Sequence, residues 1–282
     1  MSGTELRERL DLALRLAEAA RAEILPRFRA CTVRTKPDGT EVTDADLAAE
    51  QSMRAILTQV CPHEAILGEE FGGFDALGAE RCWILDPIDG TQAFALGLPT
   101  FGVLIAYVER GEPLLGMMSF PALDYDIFAA RGLGCVMRRH GTNSTSELRT
   151  SQTTDLASAN VAATGLAGSS TIVEAGLNLA NIVKTARRFR FVGDCVQHGL
   201  VCTGRLDAAI DLVAAPWDVA AVIVCIEEAG GTVSDAKGGR SGLLEAGSLV
   251  SAATPALASA LVSALSAAQA QLDGSKKSDG EV

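Results

Sequence analysis

No run of about 18 apolar residues occurs in this 282-residue chain, so no membrane-spanning helix is expected. No secretory signal peptide is expected either, because Arg7, Glu8, Arg9, Asp11 and Arg15 interrupt any apolar segment near the start. Basic residues are in deficit: 24 Lys and Arg stand against 35 Asp and Glu, a formal net charge of −11. Nucleic acid and anionic membrane are therefore poor partners, since either would want a basic patch. A small anionic substrate remains open, because a bound cation inverts the local field. The seven cysteines are odd in number and scattered, which offers no disulfide framework and fits reduced thiols in a cytoplasm. No internal repeat is found. What is present is ordinary for a globular protein, with 48% apolar and 21% charged residues. The length allows a large core, as one domain or two tightly joined ones.

Apolar residues at helical spacing (Leu6, Leu10, Ala13, Leu14, Ala17, Ile24) predict an amphipathic helix over 4–29. Lys36-Pro-Asp-Gly-Thr40 is a turn, and Thr43 caps a helix running to about Val60. Short strands are expected at 65–67 and 81–85, then an antiparallel meander over 102–108, 113–120 and 125–130, punctuated by Gly111 and Pro121. Residues 139–157 are polar and read as a loop or domain crossing. The second half alternates: strand 159–164, helix 169–183, strand 188–192, helix 194–204, strand 207–211, a buried helix 218–229 and strand 247–252. An Ala-rich helix from Pro255 to Leu272, capped by Thr254, closes the fold. The expected division is an α+β unit over 1–145, an α/β unit over 146–273 and a disordered tail over 274–282, the two units stacked in layers around a shared cleft.

The acids supply the chemistry. In WILDPIDGT, residues 83–91, an apolar strand ends at Asp86, and a second carboxylate, Asp89, follows three residues later. Pro87 keeps Asp86 extended, Gly90 permits a sharp turn, and a short helix begins near Gln92. Two carboxylates and a helix N-terminus thus meet at one place. The acids attract a hard cation and the helix end an anion, and a magnesium-bridged phosphate satisfies both. The bland alternative is a plain turn, with Asp89 as a cap and Asp86 solvated. Three further positions weigh against it. Glu69-Glu70 closes a short strand after Gly68; Asp218 precedes eight apolar residues, as N-cap, metal ligand or both; Asp46 lies three after Thr43, as ligand-side acid or capping-box partner. Cys195, His198 and Cys202 are the nearest approach to a zinc cluster, but their spacing also places them near one packed helix face, which is the preferred reading.

In this order the elements resemble the inositol monophosphatase family of the magnesium-dependent, lithium-sensitive phosphatase superfamily. WILDPIDGT matches its first signature. Trp217, Asp218, Ala220 and Ala221, followed by Glu228-Ala229-Gly230-Gly231, match its second. Gly68-Glu69-Glu70 and Val42-Thr43 with Asp46 match two smaller elements, and together they span roughly residues 4 to 260. The resemblance implies an alternating αβαβα sandwich, usually a homodimer, with two to three magnesium ions. It assigns Glu70, Asp86 and the Ile88 carbonyl to one ion and Asp86, Asp89 and Asp218 to a second, with a weaker third near Glu70. Asp46 and Thr91 would orient or deprotonate the attacking water, and the Gly90 and Thr91 amides would hold the phosphate. Haloacid-dehalogenase phosphatases are set aside, because two residues rather than one separate the paired acids here. A retired, non-catalytic scaffold would lack at least one of these acids, and none is missing.

The substrate side departs from the family's inositol-specific members. Where they carry a small-residue element, this chain reads Gly193-Asp194-Cys195-Val196, closer to the histidinol-phosphate phosphatase branch. An acid there suits a substrate with an ammonium and an imidazole, although Asp194 also reads as a cap for the helix at 194–204. Asp211 is compatible with either substrate. The preferred reading is hydrolysis of histidinol phosphate, with inositol 1-phosphate or a related polyol phosphate second. Sugar bisphosphates and adenosine phosphates rank lower for want of a long insertion or a basic cluster. Arg187, Arg188 and Arg190 either reach the substrate or stay solvated, and a solvated charge run is the default.

Overall fold

The computed structural model describes residues 3–142, 144–164 and 178–266. Helix α1 (Gly3–Ile24) stops short of the expected residue 29, because Pro26 lacks an amide proton and the chain tightens into a 3₁₀ turn over Leu25–Arg27. A hairpin of β1 (Val33–Thr35) and β2 (Glu41–Thr43) brackets the predicted turn, and α2 (Asp44–Val60) follows, with Thr43 as its N-cap. Then come β3 (Ala65–Gly68), β4 (Arg81–Asp89) and the short helix α3 (Thr91–Ala95). The meander consists of β5 (Gly102–Glu109), β6 (Glu112–Phe120), β7 (Tyr125–Ala130), β8 (Gly134–Arg139) and β9 (Thr145–Glu147). The second half contains β10 (Asn160–Ala163), α4 (Ala180–Thr185), β11 (Arg188–Phe191), α5 (Asp194–Cys202), β12 (Ala208–Asp211), α6 (Pro216–Glu228), β13 (Thr232–Ser234), β14 (Leu249–Ala252) and α7 (Pro255–Ser266).

Strands β3 to β9 form a seven-stranded sheet in sequence order, antiparallel except for the β3–β4 pair. The second sheet has the order β11-β10-β12-β14-β13, parallel in its first three strands and antiparallel thereafter. Alternation along the strands sorts the large sheet's two faces. Trp83, Leu85, Val103, Ile105 and Tyr107 pack against α1 and α2, while Ile84, Leu104 and Ala106 face the α5/α6 layer. Beyond α5 and α6 lies the second sheet, whose far side (Val161, Ala208, Ile210) meets Ile182 of α4 and Leu257 and Leu261 of α7. The result is the expected αβαβα sandwich. Among the described residues no helix is long and apolar enough to cross a membrane.

Several strands lie where the sequence shows no periodic signal. β9 is exposed at all three residues, so pairing with β8 defines it and burial does not. β1 is exposed throughout as well. β13 has three residues and completes the edge beside β14. Of the expected helix 169–183, residues 169–177 lie outside the described residues, and the described part becomes helical only at Ala180, as α4. The continuation of the last helix to 272 and the tail at 274–282 lie outside the described residues. Thr254 does cap α7, its hydroxyl accepting the Leu257 amide at 3.3 Å.

β4 runs four residues past the expected strand end, and it does so irregularly. Asp86 pairs with Leu104 and Asp89 with Gly102, so three steps on β4 match two on β5. This bulge accommodates Pro87 and reverses the side-chain parity. In a regular strand Asp86 and Asp89 would point to opposite faces. Here Ile88 joins Trp83 and Leu85 in the α1/α2 core, and both acids turn to the side where α6 begins.

The middle layer is tight. Every residue from Val219 to Ile226 is buried. A Cβ on Gly116 of β6 would lie 2.1 Å from the Ala221 carbonyl oxygen. Backbone packs on backbone there, and neither side has a flexible group to move aside. Gly116→Ala is therefore expected to destabilise the protein by about 1–3 kcal/mol. Urea unfolding measures it; an unchanged midpoint would show that α6 shifts freely on the sheet.

Candidate active site

The bulge of β4 and the start of α6 bring three carboxylates together. Asp86, Asp89 and Asp218 each offer an oxygen, and the three oxygens lie within 4.8 Å of one another. Asp86 is 1% exposed, and its Oδ1 has no hydrogen-bond partner. A buried, unpartnered carboxylate oxygen is costly, so this one implies a ligand. Burial pushes the Asp86 carboxyl well above its usual range, and the neighbouring charges of Glu69, Asp89, Asp218 and Asp46 add to it. Asp89 is raised likewise, by burial and then by Asp194 and Asp218. Asp218 is pushed up to about 7, first by burial. Burial and mutual repulsion thus favour the protonated form of each group in the absence of a cation. The oxygen-only donor set, its spacing and the orphaned Oδ1 fit a hard divalent cation such as magnesium.

Local helix chemistry places Asp218. It is not the N-cap, which is Ala215, but sits at N3, and its Oδ2 accepts the Ala215 amide at 2.7 Å. Asp46 is built the same way. Its Oδ2 accepts the Thr43 amide at 2.9 Å as the reciprocal half of a capping box. Its Oδ1 lies 3.1 Å from the Thr91 hydroxyl, which is also 3.0 Å from the Ile88 carbonyl oxygen. Asp46 is thus the capping-box partner through one oxygen, while its other oxygen meets Thr91. Burial raises its carboxyl, against the hydrogen bonds from Thr43 and Thr91. Between these groups Gly90 has φ +90°, and a Cβ there would stand 2.9 Å from Asp194 Oδ2 and 3.0 Å from the Thr100 carbonyl oxygen. Only glycine fits both the dihedral and the space.

The glutamate that faces the cluster is not the expected one. Glu69 is the strongest charged neighbour of Asp86, and it lines the cleft with Gly90 and Thr91. Glu70 is turned aside: its amide donates to Glu50 at 2.8 Å, and its carboxylate takes Lys36 Nζ at 2.7 Å. Lys36 also reaches Glu69, at 3.2 Å. Burial lifts both glutamates to about 7. Lys36 and the fully buried Glu50 went unread in the sequence. One sits in a stretch legible only as a turn, and the other on a helix face whose partner loop is 20 residues away.

Across an open cleft of ≈ 410 Å³ stand Thr164, Gly193 and Asp194. Asp194 is not a helix cap. It has φ +53°, and α5 has no side-chain cap at Gly193. The Cys195 amide at the helix start is taken by Asp89 Oδ2, across the cleft. No described residue donates a hydrogen bond to the Asp194 carboxylate, which burial and the Asp211 charge push up to about 6. Asp211, a substrate-binding candidate from the sequence, is occupied internally. Oδ1 takes Thr164 and Gln197, and Oδ2 lies 2.6 Å from His198 Nε2. The zinc alternative fails on the same bonds, since both His198 nitrogens are engaged, Nδ1 with Ser251 at 2.8 Å. Arg187, Arg188 and Arg190 are exposed and do not line the cleft.

Comparison with known proteins agrees with this geometry. Residues 5–270 match the inositol monophosphatase family. The histidinol-phosphatase of Mycobacterium tuberculosis is 39% identical over 81% of this chain and 88% of its own length. That of Chlorobaculum parvum is 36% identical over 86% and 91%. An inositol monophosphatase from Zymomonas mobilis superposes with a TM-score of 0.78 at 32% identity, covering 94% of this chain and 99% of its own. With four acidic elements in order on the matching fold, this chain belongs to the inositol monophosphatase family and is a phosphomonoesterase.

Proposed function

We propose that this protein is a magnesium-dependent phosphatase that hydrolyses histidinol phosphate. The observation that carries the metal reading is the convergence of Asp86, Asp89 and Asp218 around an unpartnered buried oxygen. These three, with Glu69 in place of Glu70 and with the Ile88 carbonyl, would hold the ions. When bound, magnesium there neutralises phosphoryl charge and makes water nucleophilic near neutral pH. The chain's own groups do the rest. Asp46 and Thr91 orient the attacking water, and Asp46 accepts its proton. The Gly90 and Thr91 amides hold the phosphate. Two to three ions and a homodimeric assembly in the cytoplasm rest on the family resemblance and the composition alone.

The substrate reading rests on Asp194. Its carboxylate lies at the cleft with no described donor, so a cationic substrate group gives it a partner. Inositol offers only hydroxyls, and Asp211, the acceptor that would suit them, is engaged by Thr164, Gln197 and His198 and does not line the cleft. Inositol 1-phosphate is accordingly the second substrate, not the first.

Initial rates with magnesium on both esters test this. Histidinol phosphate is expected to give the higher kcat/KM, and Asp194→Ala to reduce that value by roughly 10- to 100-fold, the loss of one charge-assisted hydrogen bond, with little effect on inositol 1-phosphate. A preference for the inositol ester, unmoved by the substitution, would reject the histidinol reading. Asp86→Asn should lower hydrolysis of every ester by at least about 100-fold; retained activity would reject the metal assignment.

A third expectation concerns stability. The folded-state values of Glu69, Glu70 and Asp218 lie at about 7, above the unfolded range near 4. The metal-free folded protein therefore binds more protons than the unfolded chain through this window. Its stability is present at low pH and is lost as pH rises toward 7. The melting temperature in chelator should fall from about pH 5 to about pH 8, and magnesium should restore it most at the high end. A melting temperature that rises with pH in chelator would contradict the picture of crowded, protonated acids.

A further inference from the structure

Behind Asp194 lies a chain of buried hydrogen bonds that the hydrolytic chemistry does not use. Ser251 Oγ meets His198 Nδ1 at 2.8 Å, and His198 Nε2 meets Asp211 Oδ2 at 2.6 Å. Asp211 Oδ1 takes the Thr164 hydroxyl proton and the Gln197 amide. Gln197 Nε2 also donates to Thr164 Oγ1 at 2.9 Å, and the Asp194 backbone amide donates to the same oxygen at 3.3 Å. Ser251 and Gln197 are fully buried and His198 is 1% exposed, so the chain is anchored in the protein interior. At its outer end stands a non-glycine residue in the left-handed region, φ +53°. That conformation is unfavourable for an L-residue and persists where the surrounding structure holds it.

We infer that Thr164 is a positioning residue for substrate selection: locked by Asp211, His198 and Gln197, it fixes the backbone of Asp194 so that the carboxylate faces the cleft. Thr164 itself lines the cleft. Its hydroxyl, however, donates once and accepts twice within the protein, which exhausts a hydroxyl's capacity. It therefore acts on substrate through Asp194 and not by direct contact. Asp211 and His198 likewise act at one remove. The inference rests on the reading of Asp194 as the group that meets the substrate's cation.

The test is a double-substitution cycle of Thr164→Val and Asp194→Ala in the full-length, magnesium-loaded enzyme. Histidinol phosphate and p-nitrophenyl phosphate are the two substrates. Thr164→Val is expected to raise KM for histidinol phosphate roughly three- to tenfold, with kcat and hydrolysis of p-nitrophenyl phosphate little changed. Thr164→Ser, which keeps the hydroxyl, should retain the wild-type KM. In the Asp194→Ala background Thr164→Val should have no further effect, because its only route to the substrate is gone. Three results overturn the inference. They are a KM for histidinol phosphate unmoved by Thr164→Val, equal depression of both esters, and an effect that adds in full to that of Asp194→Ala. If Asp194→Ala alone leaves histidinol phosphate untouched, the substrate reading falls and this inference with it; if Asp194→Ala acts and Thr164→Val does not, only this inference falls.

Discussion

Repulsion among buried carboxylates is the constraint around which this protein is arranged. Asp86, Asp89 and Asp218 crowd into a space a few ångströms across, with Glu69, Asp46 and Asp194 close by. Alone, such a group of charges would hold its protons or force the site open. A cation adds an attraction to each of these charges that offsets their mutual repulsion, so the arrangement that is costly empty becomes favourable when filled. The bulge in β4 makes the crowding possible. Without its extra residue the parity of the strand would send Asp89 to the α1/α2 core.

The scaffold tolerates the crowding because most of these acids have a second, structural task. Asp46 caps α2 with one oxygen and meets Thr91 with the other. Asp218 holds the Ala215 amide at the start of α6. Asp89 takes the Cys195 amide at the start of α5. Three helices thus begin at the site, and their free amides stabilise carboxylates on which the chemistry depends. The buried Oδ1 of Asp86 has no such bond, which makes it a sensitive reporter of whether a ligand is present.

The opposite wall uses different physics. There a buried network of neutral and charged hydrogen bonds holds one residue in an unfavourable backbone conformation. The product of that network at the cleft is a single half-buried carboxylate, Asp194. Its neighbour Asp211 serves the network instead of the cleft, so an acid's presence near a site does not by itself show that it meets the substrate.

The sequence by itself determined the family elements in which the acids lie, the order of the main elements and the layered fold. WILDPIDGT, the Thr43 capping signal and the apolar run after Asp218 are local signals, and local spacing is what a sequence displays. It could not separate Glu69 from Glu70, because two adjacent carboxylates differ only in what lies across from them. The folded chain sets Lys36 beside both, closer to Glu70, and lines the cleft with Glu69. It also decided that Asp89, not Asp194, satisfies the start of α5, a contact between residues 106 positions apart. The weakly patterned strands β1, β9 and β13 formed only because longer strands offered them edges. In each case the deciding partner is distant in the chain, and a partner's proximity in space is set by packing rather than by spacing.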